Sequence, residues 1–223
     1  ALLDMNAAIG PLNTSGNVFS SNGANLNIDK SAGAAHFTGL NLRVDAQNPN
    51  FFTVASTTAG SFFYTYDDGA SGWTVSSPTA LIVPGSYDDG DGTLGSVGNN
   101  EWSIHRIYIS AATTVIHYGQ AVYSSSSEAV AGIQTEAFSL NPDLNGFLLR
   151  CFLIVKGNAT DLSNTAQAMF VEASRFGAGG ASGSSSSTTT LQGAYDNSVT
   201  PEIIVDATRG ALSIEDNATP IGA

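Results

Sequence analysis

The chain has 223 residues, 42% of them hydrophobic and only 12% charged, with a formal net charge of −12 and seven Lys and Arg in all. Phosphate neutralisation needs clustered cations and an anionic bilayer repels such a surface, so nucleic acid and membrane are excluded as partners. The length suits one large domain, or one domain with an appendage. The polar surface is made from Gly, Ser, Thr and Asn in place of charge, which fits short strands, many turns and a surface partly covered by copies of itself.

Residues 1–35 are rich in Asn, Ser, Ala and Gly, with turn signals such as Asn22–Gly23 and few placeable strands. From His36 the pattern sharpens. Leu40, Leu42 and Val44 alternate with Asn41, Arg43 and Asp45, as a half-buried antiparallel strand does. Phe51–Val54 and Ser61–Tyr66 read as strands, followed by a turn at Asp67–Gly69 and another strand at Trp73–Val75. Ala80–Val83 reads as a strand that ends at Pro84, which cannot donate to a sheet ladder.

The loop Tyr87–Ser96 carries Asp88, Asp89 and Asp91. These are the metal-ligand candidates, because their spacing resembles the start of a calcium loop. Leu94 replaces the required glycine, however, and Asn100 the closing glutamate. The competing reading is a turn in which Asp and Gly supply local hydrogen bonds and positive φ, and it is the favoured one.

The centre of the chain is Trp102–Ser110 and Thr113–Val122, two strands joined by a tight polar turn. Trp102 and Ile104 oppose Ile107 and Ile109, as expected of a strand covered on both sides. Ser125–Thr135 is the one clear helix, with Ser125 as N-cap and Glu128 completing a capping box; it reads as a connector at the sheet edge. Gly146–Lys156 is the most sheet-like segment. Strict alternation puts Phe147, Leu149, Cys151, Leu153 and Val155 on one face, and Leu148, Phe152 and Ile154 on the other with Arg150 and Lys156. Cys151 is the one cysteine, a small core residue, so no disulfide framework exists and folding in a reducing cytosol is expected. Its apolar run, broken by Arg150, is too short to span a bilayer. Ala168–Phe176 supplies a last strand.

Composition then breaks. Gly177–Ser187 has no large side chain and reads as a flexible linker between a β-rich module (1–176) and a short C-terminal segment (188–223). That segment carries a short turn of helix at Thr190–Tyr195 and strands at Glu202–Asp206 and Ala211–Glu215. It is too short to bury a core alone, so copies of itself are its expected partners. The fold class is all-β, an antiparallel sandwich of about eight to ten strands, as short strands at regular turn spacing imply.

Catalytic signatures are weak. His36, His105 and His117 are the only groups suited to neutral-pH proton transfer. His105 and His117 sit in the paired central strands without the carboxylates or thiols of a metal set, so packing is their expected role. No nucleophile elbow, phosphate loop or dinucleotide fingerprint is present, and no cofactor is expected. Trp73, Trp102, Tyr64, Tyr66, Tyr108 and Tyr118 could form a sugar-stacking platform, although their strand spacing favours core packing.

Several pieces together resemble bacteriophage tail-fibre and related virion-fibre proteins: YDDGDGTL followed by NNEWSIHRIYI, then VIHYGQAVYSS, then LLRCFLIVKGNATDLSNTAQAMFVEASRFG, and last TTTLQGAYDNSVTPEIIVDATRGALSIED. They cover most of residues 60–216. The last is the most specific, because it looks like the joint where a globular fibre module passes into a trimeric shaft or tip. The resemblance implies a homotrimeric, non-enzymatic virion component assembled in the host cytoplasm, with other virion proteins and a host surface glycan as further partners. Many relatives carry a self-cleaving chaperone domain; none follows Ala223 in this sequence, so the expectation is either that the chain continues beyond it or that assembly is driven elsewhere. In a three-fold assembly Leu191, Tyr195, Ile203, Val205, Leu212 and Ile214 are the expected oligomerisation residues, with Ile203, Val205, Leu212 and Ile214 buried at the axis. A capsid decoration or head-fibre protein, a carbohydrate-binding receptor module and a glycan-degrading enzyme are the competing readings.

Overall fold

A computed structural model describes residues 10–37 and 39–173. The linker at Gly177–Ser187, and Leu191, Tyr195, Ile203, Val205, Leu212 and Ile214 beyond it, lie outside the described residues. The described part is all-β, with thirteen strands and one α-helix. The first four strands are β1 (Leu12–Gly16), β2 (Phe19–Ser21), β3 (Ile28–Lys30) and β4 (Gly33–His36). They are followed by β5 (Phe51–Val54), β6 (Phe63–Asp67), β7 (Trp73–Val75), β8 (Ser86–Asp88) and β9 (Leu94–Ser96). The C-terminal group is β10 (Trp102–Ile109), β11 (Thr114–His117), the helix α1 (Ser126–Thr135), β12 (Leu148–Lys156) and β13 (Ala168–Glu172).

A six-stranded sheet in the order β13-β12-β10-β11-β6-β7 organises the unit. All its pairs are antiparallel except β6 with β11, where Val115, Ile116 and His117 align in parallel with Phe63, Tyr64 and Thr65. The sheet is therefore mixed, where a purely antiparallel one was expected. Every residue of β10 is buried, and in β12 all but Lys156. Strands covered on both faces read as near-continuous apolar runs, as WSIHRIYI and LLRCFLIVK do.

The two faces carry separate cores. On one, Ile107, Ile109, Ile116, Cys151, Leu153 and Val155 pack with Phe62 and Tyr64 and with Phe19, Ile28, Ala35 and Phe37 from the N-terminal strands. Those strands form a three-stranded sheet, β1-β4-β5, and a β2-β3 hairpin, so the region with few placeable strands is a full β layer. On the other face Trp102, Ile104, Tyr108, Val115, Phe152 and Ile154 pack with Ala129 and Ile133 of α1. The helix covers the sheet and does not sit at its edge. Burying each large apolar side chain contributes roughly 1.5–3 kcal/mol, and two faces give β10 and β12 twice the usual share.

Strict alternation fails once along β12. Ile107 pairs with Cys151 but Tyr108 pairs with Leu149, leaving Arg150 as an extra residue in a β-bulge. The bulge turns Leu149 onto the helix face with Phe152 and Ile154, while Leu148 joins Cys151, Leu153 and Val155 opposite.

Other expected strands are corrected. Leu40, Leu42 and Val44 lie in turns and are exposed, Val44 at 86%. There the Val44 and Asp45 amides donate to the Asn41 carbonyl, and the Asp45 carboxylate accepts from the Gln47 and Asn48 amides. Local Asn and Asp bonding wins over a ladder. Ala80–Val83 forms no strand, although Ile82 is buried and its amide donates to the Leu26 carbonyl. β11 stops at His117 and not at Val122, and just beyond it a Cβ on Gly119 would stand 2.7 Å from the Ile104 carbonyl oxygen and 2.9 Å from its nitrogen. Only glycine permits that backbone approach.

Gly119→Ala should therefore destabilise the unit by about 1–3 kcal/mol, and Leu153→Ala by about 2–5 kcal/mol. Val44→Ser should stay within about 0.5 kcal/mol of the parent. Urea unfolding midpoints of the three variants test this; an equal loss for Val44→Ser would contradict the turn.

Candidate functional site

An assembly of charged and polar side chains lies under the helix face. Arg106, mid-strand in β10, cannot reach solvent through two covered faces, and Glu136 meets it just past the end of α1. Arg106 Nη1 and Nη2 donate to Glu136 Oε1 and Oε2 at 3.3 and 3.2 Å, and the two side chains are 5% and 1% exposed. The same carboxylate accepts from the Gln120 amide (2.8 Å) and the Tyr123 hydroxyl (3.1 Å). Each of its oxygens therefore takes two donors, as a buried carboxylate requires.

Local sequence sets this geometry. The Ser125 hydroxyl caps α1 by accepting from the Glu128 amide at 3.2 Å, while Glu128 Oε2 reaches past the cap to the Ser124 amide and hydroxyl. The expected capping box is thus shifted by one residue at its carboxylate end. At the far end the Glu136 amide donates to the Gly132 carbonyl while its backbone turns extended, swinging the side chain toward the sheet. Gly132 leaves room for the Tyr123 ring, which would stand 2.4 Å from a Cβ there. Burial first, and then the Glu136 charge, push the Tyr123 hydroxyl well above its usual range, so it remains a donor.

From this pair the network spreads. The Arg106 guanidinium lies 3.6 Å from the Phe138 ring centroid, a desolvated cation–π contact. Phe138 meets His117 edge-on at 4.6 Å, and Trp73 meets the same imidazole at 5.0 Å. Gln120 Nε2 donates to Asp88 Oδ2 and to the Ser139 carbonyl, while its Oε1 accepts from the Ser139 amide. Nearby, buried Asn141 donates to the Thr65 hydroxyl at 2.9 Å.

The three aspartates flagged as metal ligands part company. Asp88 is buried at the end of β8, accepting from the Asp67 amide, the Gly90 amide and Gln120 Nε2. Asp89 and Asp91 are exposed in the β8–β9 turn, where Gly90 and Gly92 take φ of 79° and 92°. Asp91 accepts from the Thr93 amide and hydroxyl, which lowers its pKa; hydrogen bonding with Asp91 raises that of Asp89. Among the described residues no group of three or more His, Cys, Asp or Glu is placed to hold a metal ion. The supposed loop is a β-hairpin.

His105 and His117 are both fully buried and do not face one another, since Arg106 stands opposite His117 in the ladder. His117 Nδ1 lies 3.0 Å from the Tyr118 carbonyl, which places the proton there and leaves Nε2 without a partner. Neither nitrogen of His105 makes a hydrogen bond, although the Ser86 backbone lies near the ring. Burial is the main cause that lowers both imidazoles to about 4, so at neutral pH they are uncharged packing groups. Of the six aromatic residues named for a sugar platform, Trp102, Tyr64, Tyr108 and Tyr118 are buried, while Tyr66 and Trp73 are half-buried.

Chemically, this arrangement is a clamp. It ties α1, the 136–141 segment, β8 and the central sheet together around a carboxylate whose acceptor sites the protein itself fills. The comparisons add no family: no protein-family model, curated protein or solved structure matches the chain. Among the described residues no helix is long and apolar enough to cross a membrane. Sequence reasoning missed Arg106–Glu136 because the two are thirty residues apart; the available signal was an arginine in the middle of a strand apolar on both faces.

Removing one partner leaves a buried charge, so Glu136→Ala should cost about 3–5 kcal/mol in chemical denaturation, while Arg106→Met with Glu136→Leu together should cost much less than the sum of the singles. Acid adds a second test. Both imidazoles bind protons less readily folded than unfolded, so stability is full above about pH 6.5 and falls toward about pH 4. The loss approaches roughly 3 kcal/mol for each ring. Unfolding free energies between pH 7 and 4 should show this slope, and His105→Phe should reduce it by about half.

Proposed function

We propose that this chain is a structural subunit of a bacteriophage virion, a homotrimeric fibre or fibre-like appendage that serves particle assembly and host attachment and carries out no catalysis. The observation that carries the reading is the use made of the fibre-like segments. NNEWSIHRIYI, VIHYGQAVYSS and the 148–173 part of the third segment supply β10, β11, β12 and β13, and their chemically capable side chains serve internal packing. Arg106 is clamped, both histidines are sealed among aromatic rings, and burial pushes the Cys151 thiol up to about 12. A scaffold is what such residues make.

A second feature fits a protein that lives among other chains. Leu40, Leu42, Val44 and Phe51 are exposed within one short stretch at 48, 57, 86 and 45%, apolar side chains left for a neighbouring chain to cover. The partners are further copies of the chain through 188–223 and neighbouring virion proteins, with a host glycan as the target of attachment.

Light scattering behind size exclusion, on residues 1–223 beside a chain ending at Phe176, tests the reading. The expected outcome is a full-length mass of three 22.9 kDa chains and a monomeric truncation. Two monomers would overturn the fibre reading, and two trimers would move the three-fold contacts into the β-rich module.

A further inference from the structure

Lys30 closes β3 and is 6% exposed, a rare state for a lysine, which is almost never buried unless paired. Its Nζ donates to the Ser31 and Ala55 carbonyls, and among the described residues no carboxylate forms a salt bridge with it. Asp29 is next in sequence but lies on the opposite strand face, where its carboxylate accepts from Asn22 Nδ2 at 2.8 Å and the Ala59 amide at 2.9 Å. Desolvation by burial lowers the lysine pKa. Two carbonyl dipoles leave a buried cation with one N–H unassigned and most of its charge uncompensated.

That ammonium-bearing side chain lines a cleft of about 140 Å³ between segment 54–57 and the turn joining β10 to β11. The hydroxyl residues Thr57, Thr113 and Thr114 line the same space, and Val54, Ile109 and Ala111 supply apolar wall. Ser110 is already committed, since its Oγ accepts from the Ala112 and Thr113 amides. A buried cation, uncommitted hydroxyls and a short apolar wall select a monoanion with a small apolar body. The cleft has ample room for a small anion and opens to solvent on one side.

The geometry points to a binding site for a small carboxylate, held by Lys30 and the Thr57 and Thr114 hydroxyls in the cleft beside the β10–β11 turn. The site is independent of the fibre reading. Affinity is modest, in about the millimolar range, because the surrounding field of a chain with net charge −12 opposes an anion.

The chain has two lysines, Lys30 and Lys156, so the side-chain ammonium NMR signals of the full-length protein are few, and Lys156→Arg identifies the Lys30 signal. Sodium acetate should shift that signal saturably, while sodium chloride at equal ionic strength should not. Calorimetric titration of acetate gives an independent readout. Thr114→Val should weaken acetate about tenfold, the value of one hydrogen bond to a charged group, without changing the melting temperature appreciably. An acetate response identical to chloride, or an unchanged affinity in Thr114→Val, would overturn the assignment. Tighter binding of inorganic phosphate than of acetate would overturn the carboxylate class.

Discussion

Two neighbouring strands, β10 and β12, are covered on both faces, and everything else in the described unit answers that constraint. The double cover supplies most of the apolar burial, yet it also traps Arg106, His105 and Arg150, which have no route to water. Leaving a charged group unpaired in such a place is costly. The Arg106–Glu136 pair is the solution at the centre of the sheet. It decides where α1 must end, which residue follows it and why Tyr123 and Gln120 point inward.

Arg150 is handled differently. It forms no salt bridge among the described residues, although the nearby Glu172 charge favours its ionised form; it sits in a β-bulge, where Nη1 reaches the Ala173 carbonyl at 3.4 Å while Nε makes no bond. The two arginines thus show two ways of carrying a cation through a covered strand: bring an anion to it, or distort the strand until a carbonyl is in range. Lys30 also has carbonyl partners, but in a strand of regular register.

The central hairpin, the long strand 148–156 and the capped helix were legible because their signals are local: β-branched runs, apolar residues on both faces, Ser before Glu at the right spacing. Alternation misled at Leu40–Val44, since an exposed turn carrying three apolar residues has the same pattern as a half-buried strand. It misled again at Leu148 and Leu149, because no residue type announces a bulge. The β layer in residues 12–36 was hidden by its small, polar side chains, whose strand pairing depends on a sheet contributed by distant sequence. For the candidate site, Asp88 was marked for the wrong reason: its carboxylate braces β8 against Asp67, Gly90 and Gln120. Glu136 was unmarked, because nothing near it in sequence shows that its partner is buried.

The packing of the N-terminal β layer on the late strands β10 and β12 has a consequence for how the molecule comes into being. A ribosome releases β2, β3 and β4 long before β10 and β12 exist, so Phe19, Ile28 and Phe37 must wait in an open, unburied state for the surface that will receive them. Non-local contacts of this kind slow folding and leave a nascent chain open to wrong encounters. The Gly-, Asn- and Ser-rich composition of residues 1–35 limits that hazard, because it separates Phe19 and Ile28 by small and polar residues while their partner strands are still being made.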